Sequence, residues 1–341
     1  MEFSKPHIRK NILTGEEVLV SPQRTKRPWQ GKKETQHAVS LKKYDETCYL
    51  CSGNERAGGE KNDVYGDTYV FENDFAALNS LATLYKTKDG LLEYKTEKGI
   101  CKVICFSPTH NLTLAQMSVT SIEKVVLTWQ REFLELSQLD YINYIQIFEN
   151  KGEIMGCSNP HPHGQIWAQN SIPKQIQQKT ENFKSYFLQK NRSLLTDYLD
   201  QELSINERVL YENDCFVVLI PFWAVWPYES MIIPKKCDLN IGQLSKNEIK
   251  LFADSIKTIT SIYDAIFDTS FPYSSGIHQI LEGDEEAYGW HWHMSFYPPL
   301  LRSADVKKFM VGYEMFSMPQ RDVLPEEAAM RMKNILKKIR V

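Results

Sequence analysis

Two histidines separated by one residue are the side chains of this sequence best suited to chemistry. His161 and His163 stand in the segment GCSNPHPHGQIW, which runs from Gly156 to Trp167. If His161, Pro162 and His163 lie in a strand, the two imidazoles share a face, because residues two apart in a strand point to the same side. Pro162 lacks a backbone donor and favours an edge strand. Because a neutral imidazole is nucleophilic near neutral pH, the pair indicates phosphoryl or nucleotidyl transfer.

A second group of residues with chemical potential is the Cys-x-x-Cys spacing of Cys48 and Cys51. This spacing is typical of one arm of a zinc site. A redox pair or two unrelated thiols have the same spacing, so the pattern alone leaves these alternatives open. The chain has seven cysteines and is not small, which argues against a disulfide framework.

The composition excludes two classes of partner. The 40 basic and 43 acidic residues nearly cancel, whereas a nucleic-acid-binding protein carries a basic surplus. The longest apolar run, Cys215 to Trp226, is interrupted by Pro221 and is shorter than the roughly 20 residues of a membrane span. The first residues lack the apolar core of a signal peptide. We therefore expect a cytoplasmic protein with no nucleic acid and no membrane as partner.

The elements that position these residues occur twice along the chain. The first half contains FENDFAAL from Phe71, CKVICFSPTHNLTL from Cys101, a helical segment and HPHGQIW. The second half contains YENDCFVVL from Tyr211, ESMIIPKKCDLNI from Glu229, a helical segment and HWHMSFY from His291. Because four features recur in the same order, a duplication explains the pattern better than coincidence.

Hydroxyl and glutamate residues three apart predict where the two central helices begin. Thr120 with Glu123, and Ser245 with Glu248, each fit a capping box. A C-terminal helix is predicted from 326 to 340, with Pro325 at its start.

Strands joined by long connections, with one helix in each half, predict an α+β fold of mainly antiparallel sheet with helices packed on it. We expect an N-terminal half at 1–170, a helical connection at 171–203 and a C-terminal half at 204–341. Residues 85–99 are absent from the second half and predict an inserted hairpin that turns at Asp89-Gly90.

The histidine segment resembles the signature of the galactose-1-phosphate uridylyltransferase family, in the histidine-triad superfamily. Similar segments follow the family's order, namely LTGEEVLVSPQRTKRPWQG, CYLCSGN, YVFENDFAAL, VICFSPTHNLTL, IFENKG and FYPPLLRSADVKKFMVGYEM. The resemblance extends from about Ile12 to Arg321. It implies two fused histidine-triad-like halves, in agreement with the repeat, and a homodimer.

The resemblance implies that His163 is the catalytic nucleophile of a ping-pong reaction. UDP-glucose would transfer UMP to His163 and release glucose 1-phosphate, and galactose 1-phosphate would then accept the UMP as UDP-galactose. Histidine-triad hydrolases carry a third histidine where this chain has Gln165. The resemblance implies that Gln165 is also a catalytic residue. Glutamine cannot transfer a proton as imidazole does, which favours an intermediate that survives until an acceptor arrives.

The resemblance also implies a set of substrate contacts across the chain. The expected residues are Arg24 and Arg27 for phosphate; Asn73, Asp74 and Asn150 for uridine; Gly156, Cys157 and Ser158 for the α-phosphate; Lys308, Tyr313, Glu314 and Gln320 for the hexose; and Leu50 and Val311 elsewhere in the substrate site.

Metal sites are the last feature that the resemblance implies. Cys48, Cys51, His110 and His161 match a structural zinc site. Some family members bind a second metal, for which this chain retains His278 and His293. Lys179 and Ser295 stand where a carboxylate and a third histidine are needed, so we expect that site to be lost unless the nearby His291 compensates.

Two other functions fit parts of the pattern. A nucleotide-sugar phosphorylase acting on ADP-sugars, or a nucleotidyltransferase with another nucleotide sugar, would use the same nucleophile. A non-catalytic zinc protein that binds nucleotides would keep the cysteines, although the intact HPHGQ segment argues against it.

Overall fold

The structure is a computed structural model that describes residues 3–26, 41–281 and 287–340. The strands within these ranges are β1 His7–Lys10, β2 Glu17–Val20, β3 Tyr69–Glu72, β4 Lys86–Asp89, β5 Leu92–Lys95, β6 Gly99–Cys105, β7 Tyr144–Lys151, β8 His163–Gln169, β9 Val209–Glu212, β10 Phe216–Leu219, β11 Ser230–Pro234, β12 Tyr273–His278, β13 His293–Tyr297 and β14 Gln320–Arg321. The helices are α1 Val119–Leu136, α2 Lys174–Lys190, α3 Leu194–Ile205, α4 Lys246–Ile266, α5 Tyr313–Phe316 and α6 Pro325–Ile339.

A nine-stranded antiparallel sheet organises the described part of the chain. Its order is β3-β6-β8-β7-β12-β13-β11-β10-β9, and a smaller sheet has the order β1-β2-β14. The triplet β6-β8-β7 of the first half corresponds to β11-β13-β12 of the second. The halves meet where β7 pairs with β12, for example at Ile147 and Ile277. The antiparallel α+β prediction is confirmed, and the shared strand order agrees with a duplication.

The two halves differ at the outer strand. β3 pairs directly with β6, whereas β10 lies between β9 and β11. The sequence match of Asn73 with Asn213 therefore aligns residues that occupy different positions in the sheet. In the first half the chain leaves the sheet after β3, and Phe75 is 77% exposed. Within the described residues, the first half therefore has no strand equivalent to β10, and β3 is an edge strand of the sheet.

Of the two predicted capping boxes, one is confirmed and one is wrong. Ser245 and Glu248 exchange both hydrogen bonds of a capping box at the start of α4. α1 instead begins at Val119, because the side chain of Ser118 accepts from the backbone N–H of Ser121. The predicted start at Thr120 is therefore displaced. Pro325 is the first residue of α6, as predicted.

Helices cover the sheet unequally and leave one region for a site. One face packs on α1, α4 and α6 in a continuous core that spans both halves. On the other face, α2 and α3 join the small sheet to cover strands of the second half. In β8 the side chains alternate, so Ile166 and Ala168 are buried under α1 while Gln165 and Trp167 are half-buried on the opposite face.

The histidine segment does not lie in an edge strand, so that prediction is wrong. β8 is flanked by β6 and β7, and it begins at His163. Pro162 is tolerated because it precedes the strand, where its carbonyl accepts from Phe106 N at 2.8 Å.

The inserted hairpin is confirmed, since β4 and β5 pair across Gly90, which has a φ of 59°. The predicted helical connection at 171–203 holds α2 and most of α3, which continues to Ile205. The limits of the two halves remain a prediction, because the sheet and its core run through both. No helix of the described residues is long and apolar enough to span a membrane.

Candidate active site and metal cluster

His163, the first residue of β8, uses one ring nitrogen in a hydrogen bond, and no described residue bonds to the other. Its Nδ1–H donates to the carbonyl oxygen of His161 at 2.7 Å. A carbonyl can only accept, so the lone pair of the neutral ring lies on Nε2. Burial lowers the pKa of His163 below its ordinary value. The geometry thus holds a neutral imidazole with its nucleophilic nitrogen on the side away from the backbone.

His163 lines a cavity of about 320 Å³ on the open face of the first half. This volume lies at the lower end of the range for small-molecule sites, which is roughly 300–1,000 Å³. Nine of the expected residues line it, namely Leu50, Asn73, Asp74, Asn150, Gly156, Cys157, Ser158, His163 and Gln165. Residues separated by more than 100 positions therefore converge on one pocket.

A second cavity of about 610 Å³ adjoins the first. Both are lined by Asn150, Gly156, Cys157, Ser158 and His163. The imidazole is consequently reachable from two sides. A ligand bound in one cavity would leave the other cavity open for a second group. A displacement reaction needs such room on both sides of the atom that is attacked.

Two glycines of the histidine segment are required by the backbone. Gly156 has a φ of 80°, which side chains other than glycine rarely adopt. At Gly164, a Cβ atom would lie 2.8 Å from the ring of Phe106 and 2.9 Å from the carbonyl oxygen of Phe148. Larger residues at either position would distort the wall of the pocket.

Cys157 lines the pocket, and its thiol is not activated by its surroundings. Its Sγ donates to Asn159 O at 3.1 Å. Burial raises the pKa of the Cys157 thiol, so the thiol stays protonated at neutral pH.

Asp74 is held by residues that the sequence did not single out. Gly58 N donates to its Oδ2 at 3.2 Å, and Arg56 Nε lies 3.6 Å from its Oδ1. The guanidinium of Arg56 lies 4.5 Å from the ring centroid of Phe71. Arg56 and Gly58 follow the Cys-x-x-Cys segment in a loop, so no periodicity pointed to them. The carboxylate keeps lone pairs with which to accept from hydroxyl groups in the cavity.

Beside the pocket, four buried side chains form a cluster able to hold a metal ion. The ligand atoms of Cys48, Cys51, His110 and His161 all lie within 4.8 Å of one another. Cys51 Sγ is 3.6 Å from His110 Nδ1 and 3.5 Å from His161 Nδ1. Two thiolates and two imidazoles in a closed, buried arrangement fit a structural zinc ion.

Outer contacts orient the cluster's side chains. His161 Nε2–H donates to Ser107 O at 2.9 Å, which leaves Nδ1 unprotonated toward the cysteines. Asn159 donates to Cys48 Sγ at 3.4 Å and accepts from His161 N at 2.9 Å. His161 therefore contributes its ring to the cluster and its carbonyl to His163. The two histidines serve different sites, although they are two residues apart.

The expected hexose and remaining phosphate contacts form a separate group around β14. The ammonium of Lys308 pairs with Glu314, whose Oε1 also accepts from Gln320 N at 2.9 Å. Arg24 Nε lies 3.3 Å from Asp322 Oδ1. Val311 and Tyr313 are exposed to solvent by more than half. Among the described residues that line the His163 cavity, none belongs to this group. Arg27 lies outside the described residues.

The expected second metal position contains the amino group of Lys179. Lys179 Nζ contacts Nε2 of His293 at 3.0 Å, and the ring of His278 stacks on that of His293 with centroids 4.8 Å apart. His291 does not compensate, because its Nε2–H donates to Pro234 O at 2.7 Å and it precedes β13. Burial lowers the pKa of Lys179 to about 7, while Glu229 and Glu16 oppose the shift. These residues do not fit a divalent cation, since Lys179 occupies its place.

Family models match both halves of the chain. The N-terminal domain of galactose-1-phosphate uridyl transferase matches residues 1–173, and its C-terminal domain matches residues 179–340.

Individual relatives are similar over nearly their whole length. The galactose-1-phosphate uridylyltransferase of Haemophilus influenzae is 44% identical over 329 residues, which is 96% of this chain and 94% of the relative. The Schizosaccharomyces pombe enzyme of the same name is 46% identical over 347 residues, with 96% and 94% covered.

Solved structures share the fold. A uridylyltransferase structure superposes with a TM-score of 0.78 at 23% identity, covering 97% of this chain and 99% of the other. An ADP-glucose phosphorylase from Arabidopsis thaliana gives 0.76 at 23% identity, with 96% and 99% covered. Since a uridylyltransferase and an ADP-glucose phosphorylase superpose with similar scores, the fold by itself does not select the nucleotide.

Proposed function

The chain belongs to the galactose-1-phosphate uridylyltransferase family, and we propose that it transfers UMP from UDP-glucose to galactose 1-phosphate through a covalent intermediate on His163. The observation that carries the proposal is Nε2 of His163, which bonds to none of the described residues and lies at the junction of two cavities. The products are glucose 1-phosphate and UDP-galactose.

The chemistry follows from the two ring nitrogens. Nε2 attacks the α-phosphorus of UDP-glucose, a P–N bond forms, and the P–O bond to glucose 1-phosphate breaks with its electron pair. Positive charge develops on the ring, and the carbonyl of His161 stabilises it through Nδ1–H. A phosphate oxygen of galactose 1-phosphate then attacks the same phosphorus and releases the imidazole. The leaving group of the first step is a sugar phosphate, and that of the second is the imidazole, which keeps its Nδ1–H and departs as a neutral ring with the P–N electron pair on Nε2. Neither step therefore requires a proton donor.

The nucleoside is oriented by the first cavity. Asn73, Asp74 and Asn150 line it, and the carboxylate of Asp74, anchored by Gly58 and Arg56, suits the ribose hydroxyls. Gln165 contributes a neutral amide beside the phosphorus in place of a proton-transferring imidazole. These roles favour transfer to an acceptor sugar phosphate over hydrolysis by water.

A zinc ion is the metal that the cysteine and histidine cluster fits. Cys48, Cys51, His110 and His161 would hold it, and it would supply structural cross-linking and not Lewis-acid chemistry, because all four positions are filled by protein. The cluster fixes His161, whose carbonyl orients the nucleophile. Zinc thiolates and the free cysteines of this chain favour a reducing compartment, which supports a cytoplasmic location.

A homodimer explains why the expected substrate contacts form two groups. The segment around α5 exposes Phe309, Val311, Tyr313, Met315 and Phe316 by 52–90%. Contiguous exposed apolar residues next to polar binding residues are typical of an interface. In the dimer, a second copy of the chain would bring its Lys308, Glu314 and Gln320 to the cavity around His163. Mixing separately inactive His163→Ala and Glu314→Ala chains should then restore part of the activity, whereas independent sites would restore none.

The decisive experiment is incubation of the protein with UDP-glucose alone, followed by intact-mass measurement. We expect one uridylyl group per chain, located on His163, lost in acid and stable in base. His163→Ala should acquire none. An adduct on another residue, or no adduct, would refute the proposed mechanism. ADP-glucose in parallel tests the phosphorylase alternative, and we expect little or no adenylyl adduct.

A further inference from the structure

We propose that Trp167 is a positioning residue that fixes the amide of Gln165 so that its NH₂ group, and not its carbonyl oxygen, faces the phosphoryl group. The inference rests on the proposed function, because it concerns the environment of phosphorus at His163. It begins from the spacing on β8, where Gln165 and Trp167 are two residues apart and share the open face of the sheet.

The hydrogen bond between the two side chains has only one possible direction. Trp167 Nε1 lies 3.0 Å from Gln165 Oε1. An indole N–H can only donate, so the atom of Gln165 that meets it must be the carbonyl oxygen. The Nε2 group then points to the other side. Among the described residues no group accepts a hydrogen bond from it, so its donors remain for a ligand in the cavity that Gln165 lines.

Trp167 is itself held in place. Its ring lies against Phe148 edge to face, with centroids 5.8 Å apart and planes at 77°. Phe148 is the register partner of Gln165 on β7, and Gln146 is the partner of Trp167. The indole therefore presents its N–H from a position fixed by an aromatic contact and by the pairing of β7 with β8.

The amide needs such a partner because its two orientations have nearly the same shape. Packing cannot distinguish the oxygen from the NH₂ group, so only hydrogen bonding selects between them. The two ends of the amide interact with a phosphoryl oxygen in opposite ways. The NH₂ group donates a hydrogen bond to the developing negative charge, whereas the carbonyl oxygen repels it. A donor fixed in advance stabilises the transition state without reorganisation during the reaction. The Trp167 N–H supplies this preorganisation from outside the reacting groups.

The test is a double-mutant cycle on the single-turnover rate constant of uridylylation by UDP-glucose. Trp167→Phe keeps an aromatic ring but removes the N–H, so the amide is free to turn. We expect its rate constant to fall on the order of 10-fold, less than the roughly 100-fold or more typical of deleting a donor outright. The dissociation constant of UDP-glucose should change by no more than about twofold, because ground-state binding uses many other contacts.

The same substitution in a Gln165→Ala background distinguishes positioning from packing. If Trp167 acts through Gln165, it should cause no further loss there, whereas a general packing role would give the same loss in both backgrounds. Gln165→Glu leaves the Trp167 N–H satisfied but places an acceptor toward the phosphoryl group. It should lose at least as much rate as Gln165→Ala, and this variant does not disturb the Trp167 and Phe148 rings.

The outcomes separate this proposal from the proposed function. If the parent protein forms no uridylyl adduct, the function itself fails. If the parent forms the adduct and Trp167→Phe reacts at the same rate, only the role of Trp167 is overturned. The same holds if Trp167→Phe lowers the rate constant equally in the parent and Gln165→Ala backgrounds. A parent-like rate in Gln165→Glu likewise overturns the need for a donor. Zinc content and melting temperature, measured on every variant, identify any loss that comes from misfolding.

Discussion

Lys179 Nζ of α2 and His293 Nε2 of β13 lie 3.0 Å apart, and both residues are buried. The corresponding nitrogen in the first half, His163 Nε2, lies at the junction of two cavities. Both histidines make the same backbone contact, since His293 Nδ1 donates to His291 O at 3.1 Å and His163 Nδ1 to His161 O at 2.7 Å. The two halves therefore hold these histidines by the same backbone contact. In the second half Lys179 lies against Nε2 of His293, whereas in the first half His163 lines a cavity.

Replacement of this lysine should create a metal site. Lys179→Glu would place a carboxylate beside His278 and His293, and two imidazoles, a carboxylate and water suit Zn²⁺. We expect the metal content measured by elemental analysis to rise from one to two per chain. The melting temperature of the variant should also become sensitive to added Zn²⁺.

Lys174→Glu makes the same charge change at an exposed position of α2, and its metal content should remain one. A parent protein that already holds two metal ions, with one lost on substitution of His278, would contradict the role assigned to Lys179.

A histidine at position 165 should convert the enzyme toward hydrolysis. Gln165→His places a group that can transfer protons beside the phosphorus, and such help is typically worth about 10²–10⁴-fold in rate. UMP release without acceptor should therefore rise relative to transfer. Gln169→His, on the same strand but outside the cavity, is the matched control. If UMP release from Gln165→His is equal to or slower than release from the parent, the absence of a proton-transferring group is not what limits attack by water.

Loss of a cluster cysteine should impair folding before chemistry. Cys51→Ser removes a ligand of a site whose binding free energy stabilises the fold, and we expect a loss of about 3 kcal/mol, or roughly 4 °C in Tm for a chain of this length. Zinc content should fall with it. Cys237→Ser, at an exposed position outside the cluster, should change neither quantity. A Cys51→Ser protein that melts like the parent and keeps its zinc would mean that the cluster is wrongly assigned.

A buried ion network ties the N-terminal strand to α6 and should give a defined acid response. Glu326 accepts from Arg9 at 2.9 Å and from Arg208 at 2.6 Å. Burial acts to raise the pKa of Glu326, but the hydrogen bonds and charges of Arg9 and Arg208 outweigh it, and the net pKa is lowered. We expect Glu326→Gln to cost about 2–4 kcal/mol in the free energy of unfolding at pH 7.

The sign of the pH dependence follows from the lowered pKa. A carboxylate whose pKa is depressed by folding stabilises the protein above its unfolded pKa, near 4.5, and loses that contribution as pH falls further. The stability gap between parent and Glu326→Gln should thus be constant above about pH 5 and shrink below pH 4.5. Glu327→Gln, exposed in the same helical turn, should show little gap at any pH. A gap that widens in acid would contradict this account, and urea denaturation in zinc-containing buffer measures it.

Much of this protein is determined locally by its sequence. The HPHGQ segment predicted the chemistry. The Cys-x-x-Cys pair, together with the family resemblance, predicted the four cluster residues. The order of strands and helices in the two halves predicted an antiparallel α+β fold. Ser245 with Glu248, Pro325 and the Asp89-Gly90 turn each act through hydrogen bonds or backbone angles within a few residues. Such features can be predicted because their partners are near in the chain.

Other features depend on partners far away in the chain, and only the tertiary structure decided them. The sequence placed Pro162 at a sheet edge, yet β8 is interior because β6 and β7 flank it. His161 and His163 are neighbours in sequence, but the cysteines draw one ring into the metal cluster while the other faces a cavity. Arg56 anchors Asp74 without any local pattern. The hydrogen bond that commits Lys179 to His293 spans 114 residues, and burial of both groups, not their neighbours in the chain, determines that they meet.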